Sequence, residues 1–206
     1  MGRPRVALLS RDAIADAALR LIDKNGKVTV SEVAKALNVS PPSLYNHVSG
    51  LDEIIELVRE RIHIEQGPRI DPDDTWQDVI RHVAQHDRDS IGKHPWAVAD
   101  IMISTVQAGA PIDSVRTFAR VLEDAGFEPE DVLGVIGAVD LLTAGGALDV
   151  NAPEYVYPVD VMLEENALGR ALRAAPKGRE RADFVFHFAV EALIAALEAR
   201  LGATAR

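Results

Sequence analysis

The sequence predicts an all-α protein of about ten helices, because apolar side chains recur at three- and four-residue spacings along most of its 206 residues. No stretch alternates convincingly with the two-residue period of a half-buried strand. Helix-stopping pairs such as Asn25-Gly26 and Gly67-Pro68 divide the chain into helix-length pieces. We therefore expect a small N-terminal domain at 1–50, a connecting helix at 51–66 and a larger helical bundle at 67–206.

The first helix is predicted from Arg11 to about Lys24, with Asn25-Gly26 as its stop. Its apolar face consists of Ile14, Ala17, Ala18, Leu21 and Ile22. That face can support the two short helices that follow.

Two short helices come next, joined by a three-residue break at Asn38-Val39-Ser40. Thr29 stands three residues before Glu32, which predicts a capping box at the start of the first helix. Ser40 can cap the second helix, and Pro41 suits its first turn because no amide hydrogen is needed there. This is the layout of a helix-turn-helix DNA reader: three helices, of which the last two form the motif.

The second helix of the motif is predicted to turn a polar face outward. Leu44 and Val48 lie four residues apart and would point inward, which leaves Ser43 and Tyr45 to His47 on or beside the outer face. The predicted DNA-binding residues are Arg3, Arg5, Thr29, Ser31, Ser40, Pro41, Ser43, Tyr45, Asn46 and His47. The alternative is a half-buried packing tyrosine at Tyr45 and a solvated surface histidine at His47. For the arm that carries Arg3 and Arg5, the alternative to a DNA contact is a disordered start.

The segment from Ala13 to Val58 resembles the DNA-binding domain of the tetracycline-repressor (TetR) family of bacterial regulators. The match is strongest at Leu44-Tyr45-Asn46-His47-Val48. The resemblance implies that Ser43, Tyr45 and His47 touch phosphates or base edges and that Asn46 faces bases. The sequence differs from the family at Leu51, where a phosphate-contacting lysine is common.

The charge distribution fits a DNA-binding head on an acidic body. The whole chain carries a net charge of −10, but through Leu51 seven Lys and Arg stand against four Asp and Glu, so the remainder carries −13. A mildly basic end can approach DNA while the rest repels it. The chain has no cysteine, which fits a reducing cytoplasm, and the apolar run from Val132 to Leu148 contains Asp140 and four glycines, so no membrane partner is expected.

The later helices are read from the same periodicity. The connecting helix should run from Leu51 to Glu65, capped by Ser49. Further helices are predicted at Trp76 to Gly92, near Pro95, from Pro111 to Ala125-Gly126, from Pro129 to Leu148, from Val159 to Ala174 and from Arg179 to Leu201. These helices form the predicted bundle.

Two of the bundle helices are candidates for a homodimer interface. The helix from Pro129 is apolar nearly all round and rich in glycine. The last helix carries Phe184, Phe188, Ala192, Ala196 and Leu197 at helical spacings. An intramolecular core is the alternative, and the family resemblance favours the dimer, built from two helices of each subunit.

A small-molecule effector site is predicted in the bundle. Its candidate residues are Trp96, Met102, Thr105, Gln107, Phe118, Phe127 and, from the resemblance, Thr143. Ordinary core packing is the alternative for each of them. No histidine lies between Met102 and Pro111, where tetracycline repressors carry the pocket histidine, so tetracycline is not the expected effector.

Enzyme chemistry is not expected, because the chain has no nucleophile elbow, phosphate loop or dinucleotide fingerprint. His82 and His86 could share a metal with Asp78 or Asp89, but an exposed helix face explains the same spacing, and no metal or cofactor is predicted. The predicted function is a regulator that responds to a small molecule, a repressor released from a palindromic operator. An activator, an effector-independent DNA-binding protein and a helical enzyme that kept a helix-turn-helix are the alternatives.

Overall fold

The computed structural model describes residues 9–64, 70–71, 73–96, 98 and 110–204, and the all-α prediction is confirmed. Within that part of the chain the helices are α1 Arg11–Asn25, α2 Val30–Ala36, α3 Pro41–Leu44, α4 Leu51–Ile64, α5 Trp76–Gly92, α6 Ala110–Asp124, α7 Pro129–Asp149, α8 Val159–Leu163, α9 Ala167–Ala174 and α10 Gly178–Thr204. The described residues form two compact units. The first unit contains α1 to α4 and 110–113, and the second contains α5, the rest of α6 and α7 to α10.

The first unit is built around α1 and α4, with α2 and α3 beside them. Its buried core is aliphatic and includes Ile14, Ala18, Ile22, Val33, Leu44, Val48, Ile54 and Val58. The predicted stop of α1 is confirmed: Gly26 caps the helix at φ 72°, and its amide donates to the Ile22 carbonyl at 2.7 Å. Glycine adopts this left-handed conformation without the steric penalty of a Cβ atom.

The start of α2 matches the predicted cap only in part. The Glu32 amide donates to Thr29 Oγ1 at 3.3 Å, as expected for an N-cap. The Glu32 carboxylate, however, accepts from the Thr29 hydroxyl at 2.7 Å. Thr29 therefore caps the helix with its hydroxyl acting as both acceptor and donor.

The break between α2 and α3 is a Schellman motif. Asn38 has φ 56°, and the Val39 amide donates back to the Ala34 carbonyl at 3.0 Å. The Asn38 amide donates to the Lys35 carbonyl at 3.1 Å, which completes the pair of bonds typical of this cap. Asparagine tolerates the left-handed region better than most side chains, so it suits this position.

The second helix of the motif is shorter than predicted, because α3 ends at Leu44 and 45–47 form a turn. The amides of His47 and Val48 both donate to the Leu44 carbonyl, at 2.8 and 3.0 Å. The His47 amide thus bonds three residues back instead of four, which ends the α-helical pattern and gives a turn. The predicted inward residues Leu44 and Val48 are buried, as expected.

The second unit has α5, α7 and α10 packed against one another. Its core is mostly apolar and includes Val79, Ile80, Phe118, Leu122, Phe127, Val135, Val139, Phe186 and Val190. Trp76 packs edge to face on Phe127, with ring centroids 5.2 Å apart. By length and composition alone α7 could cross a membrane, and its buried residues Val132, Val135 and Val139 pack into this core.

The single helix predicted from Val159 to Ala174 is wrong. Glu164 is extended at ψ 137°, which ends α8 at Leu163. Asn166 then starts α9, because its side chain accepts from the Gly169 amide at 2.8 Å. A side-chain cap competes with helix continuation at this position. The short helix predicted near Pro95 lies largely outside the described residues.

Candidate nucleic-acid interface

The outward side of α2, α3 and the following turn carries a row of polar side chains. Thr29, Ser31, Ser40, Pro41 and Asn46 are exposed, Tyr45 is 56% exposed, and Ser43 and His47 are half-buried. Arg3 and Arg5, also predicted to bind DNA, lie outside the described residues. We call the exposed and half-buried set from Ser40 to His47 the polar row.

Two buried side chains fix the direction of the polar row. Leu44 is completely buried and Val48 nearly so, and they bracket the three-residue turn 45–47. Because these anchors point into the aliphatic core, the side chains between them are directed outward. Burying two aliphatic side chains contributes on the order of 3 to 5 kcal/mol to this arrangement.

Two hydroxyl groups of the polar row lie together at the start of α3. Ser40 occupies the N-cap position but makes no side-chain cap hydrogen bond. Its Oγ lies 2.8 Å from Ser43 Oγ instead. A pair of hydroxyl groups on the outer side of the chain can donate to a phosphate oxygen.

An ionic group that the sequence reading missed lies behind the polar row. Arg11 Nη1 donates to the His47 carbonyl at 2.8 Å and to Glu53 Oε1 at 2.5 Å. Glu53 Oε2 accepts from the Ser49 amide at 2.6 Å. These residues are up to 42 positions apart, so helical periodicity gave no signal for their meeting.

The candidate effector residues of the second unit are placed in or beside its core. Phe118, Phe127 and Thr143 are buried, and Trp96 is half-buried beside the His94 ring. Phe118 and Phe127 belong to the hydrophobic core, where packing alone accounts for them. Met102, Thr105 and Gln107 lie outside the described residues.

Two buried polar atoms of uncharged side chains in the packed helices α5 and α7 lack hydrogen-bond partners within the described residues. They are Thr143 Oγ1 and Gln85 Oε1, and the Gln85 amide group is held by Asp89 at 2.7 Å. An unpaired buried polar atom is costly, so each is suited to receive a polar guest or a water molecule. Gln85 was not identified from the sequence as a site residue, because a glutamine at its position in the helix fits an exposed surface equally well.

The histidines of α5 each face a different carboxylate. His82 Nδ1 lies 3.3 Å from Asp74 Oδ2, and His86 Nδ1 lies 2.8 Å from Asp87 Oδ1. Among the described residues, no group of three His, Asp or Glu side chains is placed to hold a metal ion.

One face formed by α7 and α10 exposes large apolar side chains. Leu133 is 74% exposed and Phe188 68% exposed, and the remaining members are Leu141, Leu148, Phe184 and Val185. Ala192 and Ala196 are exposed on the same helix as the phenylalanines, whereas Leu197 is buried and belongs to the core. We call these residues, without Leu197, the apolar face.

Sequence comparison finds transcriptional regulators along most of the chain. The class E tetracycline repressor of Escherichia coli is 27% identical over 204 residues, covering 95% of this chain and 94% of that protein. A helix-turn-helix-type transcriptional regulator of Saccharopolyspora erythraea is 30% identical over 177 residues, covering 81% of this chain and 70% of that protein. No protein-family model matches the chain.

Structure comparison finds the same architecture. Apo ActR from Streptomyces coelicolor superposes with a TM-score of 0.79 at 18% identity, covering 96% of this chain and 99% of ActR. ActR has also been solved with (S)-DNPA bound, and that form superposes with a TM-score of 0.67 over 92% of this chain. At this identity the likeness shows a shared fold.

Proposed function

The chain belongs to the TetR family of helix-turn-helix transcriptional regulators, and we propose that it is a homodimeric repressor that a small-molecule effector releases from a palindromic operator. The observation that carries the proposal is the polar row, held outward by the buried pair Leu44 and Val48. A repressor of this kind needs these outward-facing polar side chains, a second copy of the chain and a binding site for the effector.

DNA recognition is supported by the chemistry of the polar row. Ser40 and Ser43 offer hydroxyl groups to phosphate oxygens. Tyr45 and Asn46 are exposed and can reach base edges, where an asparagine amide pairs with adenine. Phosphate contacts would position the chain, and the base contacts would select the sequence.

A homodimer is supported by the apolar face. Large apolar patches are uncommon on monomeric proteins, and phenylalanines as exposed as Phe184 and Phe188 gain most from being covered. Added Cβ atoms at Gly134 and Gly145 would meet nothing within 4 Å of this chain, so there is room for another helix to approach closely. Two α7 and two α10 helices would form a four-helix interface, and two copies suit a palindrome.

An effector site in the second unit is supported by the unpaired atoms Thr143 Oγ1 and Gln85 Oε1. The effector of this chain would be a molecule with polar groups for these atoms and an apolar body. It would act by favouring a conformation that the operator does not fit, which is a shift of population between two states. As a DNA-binding regulator the protein would work in the cytoplasm, without enzymatic activity.

The test is selection of bound duplexes from a random DNA library with the purified full chain. We expect the selected sequences to converge on a near-palindrome. Tyr45→Ala should weaken binding to that duplex by about 1 to 3 kcal/mol, measured by fluorescence anisotropy, while light scattering still reports a dimer. Tyr45→Phe is the matched control for the hydroxyl group.

Two outcomes would contradict the proposal. Unchanged affinity of Tyr45→Ala would remove the polar row from the interface. A thermal-shift screen in which no small molecule stabilises the chain would favour the effector-independent alternative, since a ligand that binds the folded state must raise its stability.

A further inference from the structure

The turn that carries Tyr45, Asn46 and His47 is held in place by an ionic group from two other helices. Arg11, the first residue of α1, reaches the His47 carbonyl at 2.8 Å and the Glu53 carboxylate at 2.5 Å. Glu53, in the first turn of α4, accepts the Ser49 amide at 2.6 Å with its other oxygen. We call Arg11 and Glu53, with these backbone partners, the clamp.

The turn needs such support because it has little regular structure of its own. The helix before it has four residues, and a single helical turn is unstable alone. The side chains of Leu44 and Val48 anchor its two ends in the core. Between them, the hydrogen bond from Arg11 gives the His47 carbonyl a charged partner and sets the plane of that peptide group.

We propose that Arg11 and Glu53 are positioning residues for DNA recognition, which fix the geometry of the turn relative to α1 and α4 and contact no DNA themselves. The inference rests on the proposed function, because it assigns to the polar row the DNA contacts described above. It also links α4 to the polar row. Glu53 lies on α4 and is joined to the turn both through Arg11 and through the Ser49 amide.

The exposure of the clamp separates this role from a role in folding. The Arg11 side chain is 52% exposed and that of Glu53 is 29% exposed. Ion pairs with such access to solvent contribute little to the stability of a fold. The clamp can therefore be broken with little effect on unfolding, while a turn that must fit a DNA groove loses its fixed geometry.

The clamp stays ionised at neutral pH. The Ser49 amide and the Arg11 guanidinium both stabilise the charged carboxylate, and they lower the pKa of Glu53 from 4.5 to about 2. Neutralising Glu53 by mutation is therefore the way to break the clamp at the pH of a binding assay.

The decisive test is whether the Glu53→Gln substitution weakens or tightens DNA binding. If Arg11 bound a phosphate directly, removing the neighbouring negative charge would free Arg11 and tighten DNA binding, since phosphate neutralisation drives affinity. If Arg11 and Glu53 position the turn, the same change weakens binding. The two roles predict opposite signs for one substitution.

We expect Glu53→Gln to weaken binding to the selected duplex by roughly fivefold in fluorescence anisotropy, with a thermal midpoint close to that of the unmutated chain. Asp52→Asn is the matched control, because it removes a carboxylate of the same charge from the same exposed turn of α4. That variant should bind as tightly as the unmutated chain or more tightly.

Arg11→Gln provides a second variant. It should weaken binding by a similar factor, and the double variant should be no weaker than either single one, because both substitutions break the same group. Equal or tighter binding by Glu53→Gln, or additive losses in the double variant, would overturn the proposal. Failure of the unmutated chain to select any duplex would instead contradict the proposed function itself.

Discussion

The two units of the chain expose different kinds of large side chain. In the first unit the prominently exposed aromatic residue, Tyr45, ends in a hydroxyl group and lies among polar neighbours. In the second unit Phe184 and Phe188 are exposed, while the Arg88 side chain is completely buried. The first unit thus presents chemistry suited to a polar partner, and the second presents a surface suited to another protein.

The buried arginine shows how the second unit is built. Arg88 Nη2 lies 2.8 Å from Asp183 Oδ1, and its guanidinium stacks 4.6 Å from the centre of the Phe186 ring. Gly146 permits this approach, because a Cβ atom there would lie 2.6 Å from the Phe186 ring and 3.2 Å from Arg88 Cδ. The core where α5, α7 and α10 meet is therefore fixed by a charge as well as by apolar contacts.

The largest expected effect comes from Phe188→Asp, which places a charge in the middle of the apolar face. We expect the dimer to dissociate, because burying a carboxylate in the interface is costly when no positive charge or hydrogen-bond donor pairs with it. Operator affinity should then fall by about 100-fold or more, since binding through two linked sites is lost. Light scattering and fluorescence anisotropy measure the two effects.

The control for that variant is Tyr157→Asp, at an exposed aromatic residue outside the apolar face. It should leave both the mass and the affinity unchanged. A Phe188→Asp chain that remains dimeric would remove the contrast between the two units, because the apolar face would then have no partner to explain it.

The second effect concerns the buried charge. Asp183→Asn leaves the Arg88 guanidinium without its carboxylate and should lower the free energy of unfolding by about 3 kcal/mol. Arg88→Met should cost less, because Asp183 is partly exposed and keeps Arg179 Nε at 3.1 Å. Urea unfolding measures both, and equal losses would show that packing rather than charge sets the cost.

The pH dependence of the same pair has a definite sign. Desolvation raises the pKa of Asp183, but Arg88 and Arg179 outweigh it and leave that pKa below the usual 3.8. The pair therefore contributes stability above pH 3.8, and the contribution is lost as the pH falls through the lowered value. In the Asp183→Asn variant, this part of the stability lost at acidic pH should be absent.

The sequence predicted more of the first unit than of the second. Local signals sufficed for the helix stop at Gly26, the cap at Thr29 and the break that begins at Asn38, because caps and helix ends depend on neighbouring residues. The clamp was missed because Arg11 and Glu53 meet only in three dimensions. The length of α3 was overestimated because the four-residue spacing of Leu44 and Val48 fits a helix, whereas the chain between them forms a turn.

The second unit shows why other features of the fold could not be predicted from the sequence. Arg88 lies between Asp87 and Asp89, a pattern typical of a solvated face, yet it is buried. Leu197 fits the spacing of the apolar face but lies in the core, since spacing alone does not say which neighbour covers a helix. The predicted DNA-binding residues remain predictions, because exposure makes a side chain accessible to DNA and does not demonstrate a contact.

The third effect tests the link between the helices of the reading motif. Asn38→Val forces a β-branched residue into the left-handed region at φ 56° and should cost about 1 to 2 kcal/mol of unfolding free energy. Asn38→Gly, the matched control, should be neutral or slightly stabilising. Thermal unfolding compares them, and equal midpoints would show that the Schellman motif does not limit the stability of the first unit.

The smallest effect concerns a carboxylate beside the apolar face. Desolvation and the nearby Asp87 raise the pKa of Asp140 above 3.8. Its charge therefore costs stability at neutral pH, and this cost disappears as the pH falls through the raised value toward 3.8. Because the Asp140 side chain is exposed to solvent, the effect is small: Asp140→Asn should raise the thermal midpoint by about 1 °C at pH 7.5 and by less at pH 4.5.

The Asp140→Asn variant and the unmutated chain share every other titrating group, so the difference between their thermal midpoints reports on Asp140 alone. If the apolar face is covered by a second copy, the gain at pH 7.5 should also appear as a lower dimer dissociation constant, because covering the face removes more water from the charge. A gain in the midpoint with no change in dimer dissociation would place Asp140 outside the interface. The second copy would then cover only the part of the apolar face that is remote from that residue.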